Sequence, residues 1–316
     1  MMIIYVSVLL LALLIIVVYS NFFVDEASNL AMQLKMPKML IALTIAAFGT
    51  CAQELAISFN SIAKSNADLT FANVIGSSIV NILLIIGIAA IVKPIKVKDI
   101  TIKKELPLLM IITTAFFVLM SDSLFNFNVI NGLSRADGIM LLCWFLIFIL
   151  YILRIVRKNK KEIEEYEKHS ILKSIVMIIV TLFVIVISSD LIVESATILA
   201  EILSVNEKVI SMIVIVIGTS LPELIMTVTA AKKGEFEFAI GNIIGTNIFN
   251  MCVVLGLPIV IYGGIKSSAF NLLDTFVVLF SSIIFFLFGR SDKELTRREG
   301  IFMVLVFIFY YVYILL

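Results

Sequence analysis

Two glutamates lie inside long apolar stretches, where charged side chains are rare. A charge at the centre of a membrane helix costs roughly 2.5–3.5 kcal/mol on insertion scales, so Glu54 and Glu223 require a chemical reason. Each follows a threonine by four residues, Thr50 and Thr219 respectively. On a helix this spacing places the hydroxyl and the carboxyl group on one face. The pattern therefore predicts two helices that each present two oxygen-bearing side chains to one site.

Two further apolar segments carry a hydroxyl and an amide at the same spacing. Ser77 precedes Asn81 by four residues, and Thr246 precedes Asn250 by four. All these side chains offer oxygen, which hard cations prefer, and Ca²⁺ takes six to eight oxygen ligands. Two carboxylates compensate one divalent ion, or hold two or three monovalent ions more loosely. For Ser77 and Thr246, hydrogen bonding between helices is an equally good reading of the pattern.

The chain repeats itself at an offset of 169 residues, without a gap through the polar segments. Matches of Gly, Thr, Glu and Asn are not expected by chance between two apolar helices. The matched positions are Gly49 with Gly218, Thr50 with Thr219, Glu54 with Glu223, Asn73 with Asn242, Gly76 with Gly245, Asn81 with Asn250 and Gly87 with Gly256. The repeat indicates two structurally equivalent halves around one central site.

Composition places the whole chain in a membrane. Of its 316 residues 61% are hydrophobic and 15% are charged, with a mean hydropathy of +1.15. Soluble domains have roughly 45–50% apolar and about 25% charged residues. The single histidine, His169, lies in a charged stretch, and the three cysteines lie in apolar segments, which argues against zinc, copper or iron sites and a disulfide framework. We expect an all-α polytopic membrane protein that is not an enzyme and needs no cofactor.

Ten segments are apolar enough to be candidate membrane spans. They lie near 2–20, 39–60, 70–92, 106–121, 136–156, 171–189, 208–231, 238–262, 270–289 and 300–316. Of the 24 Lys and Arg residues, 20 fall in the odd-numbered loops. The positive-inside rule then puts those loops in the cytoplasm and both termini outside the cell membrane. Each half has five spans, and because five is an odd number the second copy lies in the membrane inverted relative to the first. The first repeat covers 1–157, a charged cytoplasmic linker covers 158–170 and the second repeat covers 171–316.

Several polar residues have two possible roles. Pro222 is expected to break the seventh span beside Glu223, whereas the first half has Gln53 there, so that its break has to depend on Gly49. Asn73 and Asn242 are candidates either for ion ligands or for support of the broken helices. Four acids near span ends are interpreted as interfacial charges or as parts of long first and sixth helices; they are Asp25, Glu26, Asp190 and Glu194.

At these residues the sequence resembles the cation/calcium antiporter superfamily, and in particular its sodium/calcium exchanger branch. That family carries two repeats with a motif similar to G-T-S-x-P-E, followed by G-S-N-x-x-N/D. The second copy here reads Gly-Thr-Ser-Leu-Pro-Glu over 218–223 and Gly-Thr-Asn-Ile-Phe-Asn over 245–250. The first copy reads Gly-Thr-Cys-Ala-Gln-Glu over 49–54 and Gly-Ser-Ser-Ile-Val-Asn over 76–81. The resemblance covers the whole ten-span layout.

The resemblance implies roles for individual residues. Glu54 and Glu223 are the expected central calcium ligands, helped by Thr50 and Thr219. The expected flanking sodium sites are completed by Ser77, Asn81, Ser220, Thr246 and Asn250. In the family the first and sixth helices slide across the bundle to switch access, which implies a gating role for spans one and six.

The sequence departs from the family pattern in two places, the first motif and Asn250. In the first motif, Ala52-Gln53 replaces the residues that usually precede Glu54. Cys51 stands where the family usually has a hydroxyl, and a thiol is a poor sodium ligand. Asn250 is neutral where several branches, including potassium-dependent exchangers, carry an acid, which argues against potassium coupling and leaves two formal charges in the site. Both departures leave cation preference and stoichiometry open.

Four functions are compatible with these residues. The leading one is exchange of Na⁺ for Ca²⁺ by alternating access, with the ions and the lipid bilayer as partners, no nucleic acid and a chain that is compatible with a monomer. The second is a cation/proton antiporter, because a buried glutamate can carry a proton. A passive channel and an intramembrane hydrolase that uses paired acids are remote alternatives.

Overall fold

The computed structural model describes residues 2–34, 36–63, 67–121, 132–158, 171–202, 216–266 and 272–315. These residues form helices joined by short connections, together with four two-residue strands. The helices of the first half are α1 (Met2–Gln33), α2 (Lys38–Thr50), α3 (Ala52–Ala63), α4 (Asp68–Val92), α5 (Leu106–Leu119) and α6 (Arg135–Lys158). Those of the second half are α7 (Ile171–Ile202), α8 (Val216–Thr219), α9 (Leu221–Lys233), α10 (Phe236–Tyr262), α11 (Leu272–Arg290) and α12 (Arg297–Leu315).

Within the described residues, six helices are long and apolar enough to cross a membrane, and the bent pair α2 and α3 gives a seventh span if it is counted as one. The remaining predicted spans coincide with shorter or more polar helices. α5 has 14 residues, preceded by a π-helical turn over Thr101–Glu105. The predicted seventh span begins near residue 208, outside the described residues, and α12 carries three charges in its first turn. A mostly helical, multi-span membrane protein is confirmed at this level.

The helices α1 and α7, which contain the predicted first and sixth spans, are longer than those predicted spans, 2–20 and 171–189. α1 continues to Gln33 and α7 to Ile202, so that Asp25, Glu26, Asp190 and Glu194 are all helical. The hydropathy window ends at these acids, but a charged side chain does not interrupt backbone hydrogen bonding. α1 and α7 pack along each other, and a group of small and branched residues, including Ala12, Ile16 and Ile185, is buried around them.

Two helices are broken at equivalent positions. α2 and α3 meet at Cys51 (φ −71°, ψ 1°) with a bend of 44°, and α8 and α9 meet at Ser220 (φ −91°, ψ 7°). Positions 51 and 220 are 169 residues apart. The sequence predicts the first break at Gly49. The structure places it two residues later, at Cys51, and no proline is involved. A Cβ at Gly49 would instead collide with Leu182 of α7, so this glycine permits close packing.

α4 and α10 each contain a π-helical segment, over Val80–Ile85 and Asn250–Val254 respectively. The equivalent residues Asn81 and Asn250 lie at the start of these segments. A π turn inserts an extra residue into a helix and is frequent at functional sites. The two segments therefore mark equivalent irregularities in the two most buried of the described helices that are long enough to cross a membrane.

The four strands connect the two halves. β1 (Ile95–Lys96), which follows α4, pairs antiparallel with β4 (Glu294–Leu295), which precedes α12. β2 (Gly132–Leu133), which precedes α6, pairs antiparallel with β3 (Ile265–Lys266), which follows α10. Each pair thus joins the end of α4 or α10 in one half to the start of α12 or α6 in the other.

Equivalent residues also meet in the membrane-embedded part. Thr113 of α5 and Ser282 of α11, which are 169 positions apart, form a hydrogen bond of 3.1 Å between their hydroxyl oxygens. Contact between a residue and its own repeat equivalent is expected only beside an axis that relates the two halves.

Candidate ion-binding site

The two glutamates lie at equivalent places in the broken helices. Glu54 is in the first turn of α3 and Glu223 in the first turn of α9, each three residues after its break. Both side chains are fully buried. Pro222 fits this position because the first turn of a helix tolerates proline. Each break thus sets a carboxylate at the start of a new half-helix inside the protein.

The two carboxyl groups lie beside each other and beside a thiol. One oxygen of Glu54, one oxygen of Glu223 and the Sγ of Cys51 all lie within 4.8 Å of one another. Among the described residues, none donates a hydrogen bond to any of the four carboxyl oxygens. A buried acceptor without a donor costs about 1–3 kcal/mol, and more if it is charged. A bound cation is the partner that this cluster fits.

Two amides supply further oxygens. Asn250 Nδ2 donates to Ser77 Oγ at 3.2 Å, and Asn81 Nδ2 lies 3.4 Å from the same atom. Because both Nδ2 groups turn to this hydroxyl, the Oδ1 atoms of both amides stay buried and accept no hydrogen bond from the part of the chain that the structure describes. The amides are therefore oriented with their oxygens available for a cation.

Each break contacts the π-containing helix of the other half. Ser220 Oγ lies 3.3 Å from Ser77 Oγ, and Cys51 Sγ lies 3.9 Å from the backbone oxygen of Thr246. Ser220 and Cys51 are repeat equivalents, as are Ser77 and Thr246. The hydroxyl of Thr246 is buried and has no partner within the described ranges. The same contact is thus made twice, with different atoms.

The threonines before the glutamates are also buried. Thr50 Oγ1 lies 3.2 Å from the carbonyl oxygens of both Ala46 and Ala47, which leaves the hydroxyl oxygen as an acceptor. Thr219 ends α8 directly before the second break. The structure buries the complete set of predicted site residues, namely Cys51, Glu54, Glu223, Thr50, Thr219, Ser77, Asn81, Ser220, Thr246 and Asn250.

Asn73 and Asn242 hydrogen-bond to the helices that carry the glutamates. Asn73 Nδ2 donates to the backbone oxygen of Glu54 at 3.1 Å, and Asn242 Nδ2 to Thr227 Oγ1 at 3.1 Å. The first bond occupies a carbonyl directly after the break. These bonds favour a supporting role for Asn73. Asn242 Oδ1 is buried without a donor from the described residues, as are the Oδ1 atoms of Asn81 and Asn250, so both roles stay open for Asn242.

Contacts between α7 and the two broken helices are not predicted by the sequence. Gln53 Nε2 hydrogen-bonds to Asp190, and Ser189 Oγ donates to the backbone oxygen of Gly218 at 3.0 Å. Local sequence patterns carry no signal for these bonds, because they depend on how whole helices are placed relative to one another. They connect the sixth span directly to the segments that form the site.

Known proteins share this architecture. A family model described as "Sodium/calcium exchanger protein" matches residues 4–154 and 173–316. The chain is 32% identical over 312 residues to a putative antiporter, CaxA, of Alkalimonas amylolytica, with 95% of each chain covered. It is 28% identical over 340 residues to the sodium/calcium exchanger MaX1 of Methanosarcina acetivorans, again with 95% of each covered.

A solved structure of the sodium-calcium exchanger NCX_Mj, soaked with 10 mM Na⁺ and 10 mM Sr²⁺, has a TM-score of 0.84 at 28% identity and covers 98% of both chains. The matched family consists of antiporters that carry Na⁺ and Ca²⁺ as substrates, so this chain is a transporter and not an enzyme. With the family model covering both halves, the chain belongs to the sodium/calcium exchanger family.

Proposed function

We propose that this protein exchanges Na⁺ for Ca²⁺ across the membrane by alternating access to one central site. The observation that carries the proposal is the cluster of Glu54, Glu223 and Cys51, in which buried carboxyl oxygens from both halves meet without donors from the described chain. Amide and hydroxyl oxygens surround it. This donor set fits a hard cation, and Ca²⁺ in particular accepts many oxygens in flexible geometry.

Charge explains why the two ions compete. Two glutamates carry two formal negative charges, which one Ca²⁺ neutralises. Adding a full set of Na⁺ ions to an occupied site would place excess positive charge in a region of low dielectric, where it is costly. The site therefore holds either Ca²⁺ or Na⁺, and this exclusion couples the two fluxes.

We assign the ligands by position. Glu54 and Glu223 are the central calcium ligands, with Thr50 and Thr219 one turn before them. The flanking sodium positions use the residues around the π segments and the second break, namely Ser77, Asn81, Ser220, Thr246 and Asn250. Cys51 occupies the position equivalent to Ser220 and weakens the sodium position on its side, because sulfur is a poor ligand for a hard ion.

We further propose that the chain forms ten membrane spans in two inverted repeats, 1–157 and 171–316, joined by a cytoplasmic linker over 158–170. The Thr113–Ser282 contact and the exchanged strand pairs support a twofold relation between the halves. One chain contributes every site residue, so a monomer suffices for transport.

The contacts between loops agree with the predicted orientation, in which all odd-numbered loops lie on one side of the membrane and all even-numbered loops on the other. Ion pairs join the odd-numbered loops to one another, as in Lys38–Glu235, Lys98–Glu237 and Lys293–Asp99. On the other face Arg135 donates to the backbone oxygen of Ile261. Both termini then lie outside the cell, and a protease added to intact cells should remove a tag from either end. Protection of both tags would overturn this orientation.

The main test is sodium-driven calcium uptake. Proteoliposomes loaded with Na⁺ and diluted into sodium-free buffer should accumulate ⁴⁵Ca²⁺. Glu54→Gln or Glu223→Gln should reduce uptake to the level of empty liposomes, because each removes a charge that Ca²⁺ needs. Glu105→Gln is the matched control, since Glu105 is buried outside the site and accepts a hydrogen bond from the Tyr151 hydroxyl. Normal uptake by either site variant would refute the proposal.

A cation/proton antiporter is the second candidate. Buried carboxyl groups that lack other partners can bind protons as well as cations, and the relative CaxA is described only as a putative antiporter. Calcium uptake driven by a pH gradient, with no sodium on either side, would favour this alternative. Uptake that needs Na⁺ and ignores the pH gradient would exclude it.

A further inference from the structure

We propose that Cys51 makes the central site a binding site for thiophilic divalent cations such as Cd²⁺, with Glu54 and Glu223 as the other protein ligands. The inference deepens the proposed function, because it concerns a further substrate or blocker of the same site. It starts from a difference between the halves: the first break carries a thiol where the second carries the hydroxyl of Ser220.

The distances suit one bound ion. The Sγ of Cys51 and one oxygen from each glutamate lie within 4.8 Å of one another. For Zn²⁺, bonds of about 2.3 Å to sulfur and about 2.0–2.2 Å to oxygen keep ligand atoms within about 4.5 Å of each other, and the larger Cd²⁺ tolerates a wider spacing. A shift of a few tenths of an ångström is therefore enough for all three atoms to contact one ion.

The thiol is only weakly bonded to its surroundings. Cys51 is fully buried and forms no disulfide. Its Sγ makes a long hydrogen bond of 3.9 Å to the backbone oxygen of Thr246. The adjoining carboxyl oxygens are buried and receive no donor from the described residues. Sulfur and carboxylate in one buried cluster are a ligand set for a divalent metal ion rather than a packing arrangement.

The chemistry separates soft ions from hard ones. Thiolate sulfur selects soft or borderline metal ions, whereas Ca²⁺ binds oxygen. Cd²⁺ is close to Ca²⁺ in size and has a strong affinity for sulfur, so it should gain from Cys51 where Ca²⁺ does not. Binding releases the thiol proton to water, because a metal-bound sulfur is a thiolate.

The direct test is spectroscopic and needs no transport. Cd²⁺ titrated into the purified protein should produce the ultraviolet charge-transfer absorption of a cadmium–thiolate bond, saturating at one ion per chain. Cys51→Ser should abolish this band. Cys143→Ser and Cys252→Ser should retain it, since neither residue belongs to the cluster of acids. A band that survives in Cys51→Ser, or that is absent from the unaltered protein, would overturn the inference.

A flux experiment tests the consequence for selectivity. Cd²⁺ should compete with ⁴⁵Ca²⁺ uptake in the unaltered protein. In Cys51→Ser the ratio of Cd²⁺ to Ca²⁺ affinity should fall by on the order of tenfold or more, the scale seen when residues around a metal are changed. An unchanged ratio would contradict the inference. If the protein does not move Ca²⁺ at all, the proposed function fails, while the absorption band still decides the cadmium site.

Discussion

The two halves reach the same break in their helices with different residues. Cys51 and Ser220 have nearly the same backbone angles, yet only the second break is followed by a proline, Pro222. In the first half Gln53 stands at that place and binds Asp190 of α7 instead. The two halves thus share the backbone geometry of the break and the glutamate that follows it. They differ in the residue before that glutamate, which is Pro222 in the second half and Gln53 in the first.

The flanking helices are less symmetric than the site. Gly49 and Gly218 are equivalent, but both pack against α7, on Leu182 and Val193 respectively. A symmetric arrangement would set Gly218 against Leu13 of α1. α1 is joined instead to the end of α9, where Lys233 Nζ lies 2.6 Å from Asp25 Oδ1 and 2.9 Å from the backbone oxygen of Asn21. A symmetric centre with unequal flanks is what the proposed alternating access would require.

Adding one methyl group should have unequal effects in the two halves. A Cβ at Gly245 would lie 2.6 Å from the backbone oxygen of Leu43 and 2.8 Å from the Cβ of Ala47, so Gly245→Ala must separate α10 from α2. We expect a loss of about 1–3 kcal/mol in stability, the usual cost of overpacking, together with lost calcium uptake. The equivalent Gly76 is only half buried, and Gly76→Ala should be milder in thermal unfolding. Equal losses would remove this difference between the halves.

Removing one hydroxyl from α7 or α1 tests the asymmetry of the flanks. Ser189 Oγ donates to the backbone oxygen of Gly218, whereas its equivalent Ser20 is buried and has no partner among the described residues. Ser189→Ala should destabilise by about 0.5–1.5 kcal/mol, and Ser20→Ala should be neutral or slightly stabilising. Chemical unfolding in mild detergent measures both. If Ser20→Ala is the costlier change, then α1, and not α7, makes the stabilising hydrogen bond to its neighbouring helix.

A double-mutant cycle can test the contact between equivalent residues. Thr113→Val and Ser282→Ala each remove one side of the hydrogen bond that joins α5 to α11. The coupling free energy of unfolding should be about 0.6 kcal/mol, the average for hydrogen bonds between membrane helices. Strict additivity of the two substitutions would mean that the contact contributes nothing to holding the halves together.

The smallest effect is expected at the exposed end of the β1–β4 pair. The Lys293 ammonium donates a hydrogen bond to the Asp99 carboxylate, 2.9 Å away. This contact holds the pKa of Asp99 below its usual value. A lowered pKa in the folded state adds stability at neutral pH that is lost as the pH falls through that pKa. Asp99→Asn should thus lower the unfolding temperature slightly at neutral pH and low salt. The difference should vanish in acid or high salt, and a deficit that persists there would have another cause.

Much of the site could be predicted from the sequence, because acids and amides are costly to bury in apolar helices unless they bind a partner. Glu54, Glu223, Asn81 and Asn250 all lie buried, as expected from their types and spacing. The first break could not be predicted at its correct position, because Cys51 has no strong conformational preference and its geometry depends on neighbouring helices.

Other features escaped prediction for different reasons. The π segments at Asn81 and Asn250 add one residue to a turn without changing hydropathy. The sequence left open whether acids such as Asp25 end the first and sixth helices or lie within longer ones, because an acid ends a hydropathy window but not a helix; α1 and α7 are the longer helices. Which α7 residues contact the broken helices depends on the relative position of whole helices, which no local pattern encodes.

The exchanged strand pairs impose an order on biosynthesis. Ile95 of β1 pairs with Leu295 of β4, about 200 residues later in the chain. At a synthesis rate of roughly 5–20 residues per second, the ribosome needs on the order of 10 to 40 seconds to make that distance. During this interval the first half remains in the membrane with its strand unpaired, and Glu54 has no counterpart until the chain has been made as far as Glu223. The β1–β4 pair therefore cannot form until synthesis has reached Leu295, just before α12 begins.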